Sequence, residues 1–448
     1  MLMVFAFPPF ETFGLGIFLG YGLLYLFLDQ ATKGEAAILG FAIGVAKTFC
    51  LLNWAFVSLP QPFLALLLAS TALGLNWCLW CTLIWALLRR KNGWIAWCII
   101  PAGELILAAP LVNLCAYCCT PHAVAGNAIF LSAARWIGYF GISLLISSLS
   151  LAISLGIYRG NRRVTIAGIV IFAFWVACGI TVTFGGVKPN AEIRPFQVTI
   201  GQVFHPRNAS STPHGETQLR QSLDALTALT KHDILILPEV VLYESANDYP
   251  TSSMSIEELD AYLQMRGLVG LQVAAGCETG CDAELGTFRN SLVVFKVGSC
   301  STRSYVDKQV PAIVGEIPLA GSIPVLRSWA AKVFGSTGKL VSRSTGSEVN
   351  ILARRAGIRI CSEQMIPDQL MPGSGKADFV LVIGDTSWFN YSTFERMQSR
   401  AARQILAAER GVPLIYAANG GSEVISPKGR VLHSLDPSDH GGSWLLSF

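Results

Sequence analysis

The chain has 448 residues, 52% of them hydrophobic, with a mean hydropathy of +0.49 and a formal net charge of only +4. No basic stripe with interleaved aromatics runs along it, so direct nucleic-acid binding is not expected. The length is ample for a membrane bundle plus one globular domain, and the charge is divided to match: residues 1–184 carry thirteen Asp, Glu, Lys or Arg, residues 185–448 forty-nine.

Taken in order, the first part holds apolar stretches near 10–28, 36–55, 63–88, 94–116, 137–157 and 164–182, each about the 20 residues that a helix needs to cross a bilayer. Six spans are the economical count. The apolar start at 1–7 is a candidate for a partly inserted seventh element, and with nothing basic before it a cleaved signal peptide is not expected. The loops after spans one, three and five contain Lys33, then Arg89, Arg90 and Lys91, then Arg159, Arg162 and Arg163. The loop after span two has no basic residue, and the one after span four only Arg135. The positive-inside rule makes the first set cytoplasmic and sends residues 185–448 to the opposite, outer side together with the N-terminus. Glu104 falls within a span, where a carboxylate is costly; it is either functional or neutral against a polar neighbour.

Eight of the twelve cysteines lie in or beside the spans, where small polarizable side chains are ordinary. Cys277 and Cys281 stand apart, in Gly276-Cys277-Glu278-Thr279-Gly280-Cys281. A disulfide across a local turn and two free thiols are both open readings in an oxidising compartment. A metal site is the weakest, because no second pair or histidine cluster accompanies them.

From residue 192 onward, short β-rich runs alternate with helical ones. Strands are expected at 197–201, 234–237, 270–274, 291–295, 358–360, 379–383, 414–417 and 422–425, and helices at 216–229, 256–265 and 393–410. Met397, Ala401, Ile405 and Leu406 mark one face of the last helix. Such alternation implies an α/β domain whose active residues sit just past strand ends. The least regular stretch is 321–350.

Three residues occupy such strand ends. Glu239 follows Ile234-Leu235-Ile236-Leu237-Pro238, Lys308 lies in Tyr305-Val306-Asp307-Lys308, and Cys361 follows Ile358-Arg359-Ile360. A carboxylate, an amine and a thiol suit covalent catalysis: the thiolate attacks a carbonyl, the carboxylate moves the proton, and the ammonium stabilises the oxyanion. A neighbouring cation also makes the thiol easier to ionise. Nothing in their spacing proves that the three meet.

At these positions the chain resembles the carbon–nitrogen hydrolase, or nitrilase, superfamily, and within it the apolipoprotein N-acyltransferase branch and the conjugal-transfer TraB proteins that look like it. The Glu motif matches Leu237-Pro238-Glu239, and the nucleophile motif Ile360-Cys361-Ser362-Glu363. The Lys motif matches Asp307-Lys308 and continues into Val310-Pro311, Gly315-Glu316 and Pro318. Arg289-Asn290-Ser291, Asp385-Thr386-Ser387-Trp388-Phe389, Ala418-Asn419-Gly420 and the N-terminal Phe5-Ala6-Phe7-Pro8-Pro9-Phe10 extend the likeness over almost the whole chain.

The resemblance implies a multi-span helical membrane bundle at 1–184 followed by an α/β four-layer α-β-β-α sandwich at 185–448, on the periplasmic side of a bacterial inner membrane. It implies a Glu239-Lys308-Cys361 triad and calls for no cofactor or metal. Glu316 would be a second carboxylate supporting the lysine or the incoming amine, and its plainer reading is a loop residue beside a Pro-rich turn. Glu363 would organise the nucleophile loop, or make a structural salt bridge. Trp388 would line the acyl site or belong to the core. The backbone N–H of Ser362 would be a second oxyanion donor. Asn290 and Asn419 would pin backbone turns.

There are departures. Ser362 stands where that branch has an aromatic residue, Gly201-Gln202-Val203-Phe204 replaces its Val-Gln-x-Asn, and no apolar span follows the domain. The leading expectation is an acyltransferase with phospholipid as donor and an amine as acceptor, borne by a lipoprotein or a conjugation component. A membrane-anchored amidase and a non-catalytic conjugation scaffold are the alternatives.

Overall fold

The computed structural model describes residues 2–8, 15–89, 99–103, 119–184, 196–202, 220, 223–224, 233–239, 241–243, 254–282, 287–311, 328–329, 332–333, 339–340, 342, 346–371, 375–437, 439 and 441–446. The bundle contains α1 (Leu15–Gln30), α2 (Lys33–Leu51), α3 (Pro62–Leu88), α4 (Ala134–Tyr158) and α5 (Arg162–Phe184). All but α1, which has 16 residues, are long and apolar enough to cross a membrane. The expected span at 94–116 lies outside the described residues except for helical 99–103, and Glu104 lies outside them too.

Local chemistry sets these helices. Thr32 and Glu35 form a reciprocal capping box that starts α2, satisfying donors that the first turn would leave bare. Gly40 and Gly44 then let α2 and α3 pack backbone to backbone: a Cβ at Gly40 would lie 2.4 Å from the Trp77 carbonyl oxygen, and one at Gly44 2.6 Å from that of Leu73. At one end of the bundle Arg159 pairs with Asp29 and reaches the Leu88 carbonyl at 3.2 Å, while Arg89 donates to the Ala31 carbonyl at 2.8 Å. The basic loops after α1, α3 and α4 therefore share one end.

The soluble part is built on two sheets. Its strands are β1 (Phe196–Gly201), β2 (Ile234–Ile236), β3 (Leu242–Tyr243), β4 (Met254–Ser255), β5 (Gln272–Asp282), β6 (Thr287–Lys296), β7 (Ser304–Asp307), β8 (Lys339–Leu340), β9 (Glu348–Ile351), β10 (Arg354–Ile360), β11 (Phe379–Gly384), β12 (Leu414–Ala418), β13 (Glu423–Ile425), β14 (Val431–Ser434) and β15 (Gly441–Leu446). Among the described residues, the first sheet runs β15-β1-β2-β5-β3-β4, with β6 on β5 and β7 and β8 on β6. The second runs β14-β13-β12-β11-β10-β9. β1, β2 and β5 are parallel, as are β10, β11 and β12, so each sheet has a parallel centre buried on both faces.

The packing gives four layers. Val198, Ile200, Ile236 and Leu292 of the first sheet meet Ile358, Ile360, Leu381 and Ile415 of the second in one shared core. Outside the first sheet, α6 (Ile256–Met265) buries Ile256, Leu259 and Leu263 against Leu235, Val273 and Phe295. Outside the second, α7 (Thr393–Arg410) lays Leu406 and Ala407 on Val380, Val382 and Leu414. This is the α-β-β-α sandwich that the sequence led us to expect. Each fully buried leucine or isoleucine contributes about 1.5–3 kcal/mol.

α7 has a second buried face. Ala401, Ile405 and Ala408 belong to the core of the bundle, and Gln398 donates to the Leu51 carbonyl at 2.8 Å. Lys428 reaches the Thr183 carbonyl at 3.0 Å, and Phe389 packs edge-on against Trp54. α4 is kinked at Gly138 (φ +67°), where Glu409 accepts from the freed N–H of Tyr139 at 3.1 Å. The contacts lie at the ends of α2, α4 and α5 remote from Arg89 and Arg159, so the sandwich docks opposite the basic end.

Cys277 is buried, and Cys277 and Cys281 lie on one strand, β5, rather than across a turn. Four residues of extended chain span roughly 13 Å, well beyond the reach of a disulfide. The disulfide reading is corrected accordingly.

Candidate active site

The three strand-end residues emerge from different strands, and two shared residues tie them together. Past β2 the chain stays paired with β5, Leu237 donating to Ala274 and Pro238 accepting from Gly276, which carries Glu239 to the rim of the first sheet. Glu239 is 5% exposed, and its Oε1 accepts from Asn290 Nδ2 at 2.5 Å. Asn290 lies on β6, and its carbonyl accepts from the backbone N–H of Lys308 at 2.8 Å. One asparagine thus holds the carboxylate with its side chain and the lysine with its backbone. Lys308 is fully buried. Before it, Asp307 accepts from Ser291 Oγ at 2.7 Å, fixing the end of β7.

The second tie is Glu363. Its Oε2 accepts from the N–H of Ile360 at 2.8 Å, just before Cys361. Its Oε1 accepts from the N–H groups of Gln309 and Val310 at 2.5 and 2.9 Å, just after Lys308. A single buried carboxylate therefore joins the Cys361 turn to the Lys308 loop. Burial pushes the Glu363 carboxyl above its usual range, while the Ile360 N–H and the charge of Lys308 pull the other way. Glu363 thus links the backbone just after Lys308 to the backbone just before Cys361.

Cys361 follows β10 and opens a tight turn, Cys361–Met365, with φ +56°. A left-handed backbone costs a non-glycine residue about 1–3 kcal/mol, so the surroundings must hold it. The thiol is partly exposed, Glu239 and Lys308 are not. Ser362 Oγ is buried with no hydrogen-bond partner among the described residues. Across the second sheet, Asn419 accepts from the N–H of Thr386 at 2.8 Å and donates to Asp385 at 2.5 Å, pinning the turn Ser387–Phe389. The Trp388 side chain and Glu316 lie outside the described residues.

Two arginines near Cys361 are engaged with one carboxylate. Arg359, two residues before Cys361, donates to Asp368 at 2.5 Å, and Arg410 donates to the same carboxylate at 2.7 Å. Burial and the charge of Arg410 lower the Arg359 guanidinium to about 10, so it remains protonated at neutral pH. The sequence alone marks Asn290 only as a turn pin and does not single out Arg403, a wholly buried arginine bonded to Gln364 of the Cys361 turn. No local signal separates such a residue from a solvent-facing helical arginine.

No family model matches the chain. An apolipoprotein N-acyltransferase of Nitrosomonas europaea is 23% identical over 466 residues, covering 97% of this chain and 86% of that protein, so the likeness takes in bundle and sandwich together. The chain is apolipoprotein N-acyltransferase-like. Proteins of the same description from Rhodopseudomonas palustris and Agrobacterium fabrum are 36% and 37% identical over 77 and 78 residues, 17% of this chain in both cases and 14% and 15% of theirs. Among solved structures, the CN-hydrolase superfamily protein XC1258 of Xanthomonas campestris aligns with 57% of this chain and 91% of its own at 16% identity and a TM-score of 0.36. Saccharomyces cerevisiae Nit3, of the nitrilase superfamily, aligns with 57% and 90% at 10% identity and a TM-score of 0.38. The likeness over nearly the whole chain, with four described helices long and apolar enough to cross a membrane, marks it as an acyltransferase-like enzyme with a membrane bundle.

Proposed function

We propose that the enzyme transfers an acyl group from a membrane phospholipid to an amine through a thioester on Cys361. Glu239 takes the thiol proton, the thiolate attacks the lipid ester carbonyl, and Lys308 with the N–H of Ser362 stabilises the oxyanion. The oxyanion collapses, the lipid alcohol leaves with the proton from Glu239, and Cys361 carries the acyl chain. An amine then attacks the thioester, Glu239 accepts its proton, and the thiolate leaves. The observation that carries this reading is the double tie: Asn290 joins Glu239 to Lys308, and Glu363 joins the Lys308 loop to the Cys361 turn. The acceptor is read as a lipoprotein amine from the relatives' name, and a conjugal-transfer role is carried over from the TraB resemblance alone.

We place the sandwich, residues 185–448, on the periplasmic side, its active site at the membrane surface. Support comes from the basic loops gathered at one end of the bundle and the sandwich docked at the other. Bilayer contact at the docking end would let acyl chains approach the thiol without entering water.

The test is mass spectrometry of Cys361 after exposure to phospholipid vesicles. An acyl adduct on Cys361 is expected, and a clean thiol in protein that is transferring acyl groups would overturn the mechanism. Cys361→Ser should slow turnover at least ~100-fold, because Glu239 can barely activate a hydroxyl. Lys308→Ala should cost roughly 3 kcal/mol of transition-state stabilisation. Release of amine from a simple amide without lipid would favour the amidase reading. Unimpaired plasmid transfer by Cys361→Ala at normal protein level would favour the scaffold.

A further inference from the structure

The buried arginine on α7 is unexplained by the triad. Arg403 is 0% exposed, and its Nη2 donates to Glu423 Oε2 at 2.9 Å. Its Cζ lies 3.7 Å from the centroid of the Tyr416 ring. Such an ion pair adds little net stability over apolar side chains of the same shape. A leucine here could not do what the other arm of the guanidinium does. Arg403 Nη1 donates to Gln364 Oε1 at 2.7 Å, and Gln364 belongs to the turn that Cys361 opens.

We propose that Arg403 is a positioning residue for the nucleophile: by gripping Gln364 it holds the turn in which Cys361 keeps its left-handed backbone. The planar fork spans three partners on separate elements, Glu423 on β13, Tyr416 on β12 and Gln364 in the turn, so the turn is referenced to the rigid second sheet. Glu363 ties the same turn to the lysine loop, and Arg403 ties it to the floor beneath. Burial raises the Tyr416 phenol far above its usual range, which keeps the ring neutral under the guanidinium.

The inference rests on Cys361 as the nucleophile, and its test does not depend on turnover. Iodoacetamide alkylation of Cys361 in the full-length protein in detergent, followed by mass spectrometry of its peptide across pH, reports the presentation of the thiol directly. Gln364→Leu leaves the Arg403–Glu423 pair intact and removes the grip. Arg403→Lys keeps a charge for Glu423 but offers a single point in place of a fork. Each should slow alkylation, and acylation by lipid, about tenfold to a hundredfold, the loss of one charge-assisted hydrogen bond. The KM for lipid should stay unchanged, and the double variant should be no slower than either single one. Gln364→Glu, which keeps the acceptor, should restore the wild-type rate. Wild-type alkylation in both Gln364→Leu and Arg403→Lys would overturn the clamp, even if Arg403→Lys lowered the melting temperature. Retained acyl transfer by Cys361→Ala would instead bring down the proposed reaction, so the two failures are distinguishable.

Discussion

Replacing Glu363 tests whether the site is assembled by one carboxylate. Glu363→Gln keeps the shape. Its carbonyl oxygen can still serve Gln309 and Val310, but its NH2 then faces the N–H of Ile360, donor against donor. One buried N–H left unmatched costs about 1–3 kcal/mol. Glu363→Ala strands all three N–H groups, and with partial relaxation the loss is roughly 3 kcal/mol or more. The strain stored at Cys361 is of the same order, so the turn should relax before the fold does. Chemical denaturation in detergent would give the stability loss, and single-turnover acylation of Cys361 the loss of function. Acylation should fall at least tenfold in Glu363→Gln and further in Glu363→Ala, with the lipid KM little changed. If Glu363→Ala acylated at the wild-type rate, Glu363 would not be what joins the Lys308 loop to the nucleophile turn.

Three further expectations follow from the same contacts. Asn290→Ala should slow transfer about tenfold by removing a charge-assisted donor from Glu239, and Asn290→Asp roughly 100-fold, since two adjoining carboxylates must share a proton and the base is lost; equal rates for both variants would refute this. Burial holds the Glu409 carboxyl above its ordinary range, so its ionisation costs stability as pH rises through that raised value. Glu409→Gln, which keeps an acceptor for Tyr139 and Gln369, should therefore melt higher than wild type near neutral pH and lose that advantage below about pH 4; an advantage that grows on acidification would contradict the assignment. Alkaline phosphatase fused after residue 190 should be active and a fusion within 89–92 inactive, and the reverse pair would invert the placement of the sandwich.

Legibility in the sequence followed the range of the forces involved. α6 and α7 match their expected limits because caps and periodicity are local: Ser255 and Glu258 form a capping box, Ser392 accepts from Glu395, and Gly411 takes the left-handed C-terminal position. The buried parallel strands announced themselves as apolar runs. The strands β3, β4 and β8 have two residues each and carry no periodicity, while β15 exists because it pairs antiparallel with β1 some 240 residues away. Within the site, Glu239, Lys308 and Cys361 could be singled out from short motifs at strand ends. That Asn290 touches Glu239, or that Glu363 reaches two loops at once, depends on long-range packing that no window of sequence contains.

The double burial of α7 has a consequence for handling the protein. A cut between residues 184 and 196 would sever the chain without separating its halves, because Ala401, Ile405 and Ala408 would still be seated in the bundle. A soluble fragment lacking the bundle would carry that stripe bare and should self-associate or bind detergent. The protein is best purified whole, because its sandwich half keeps its seat on the helical bundle.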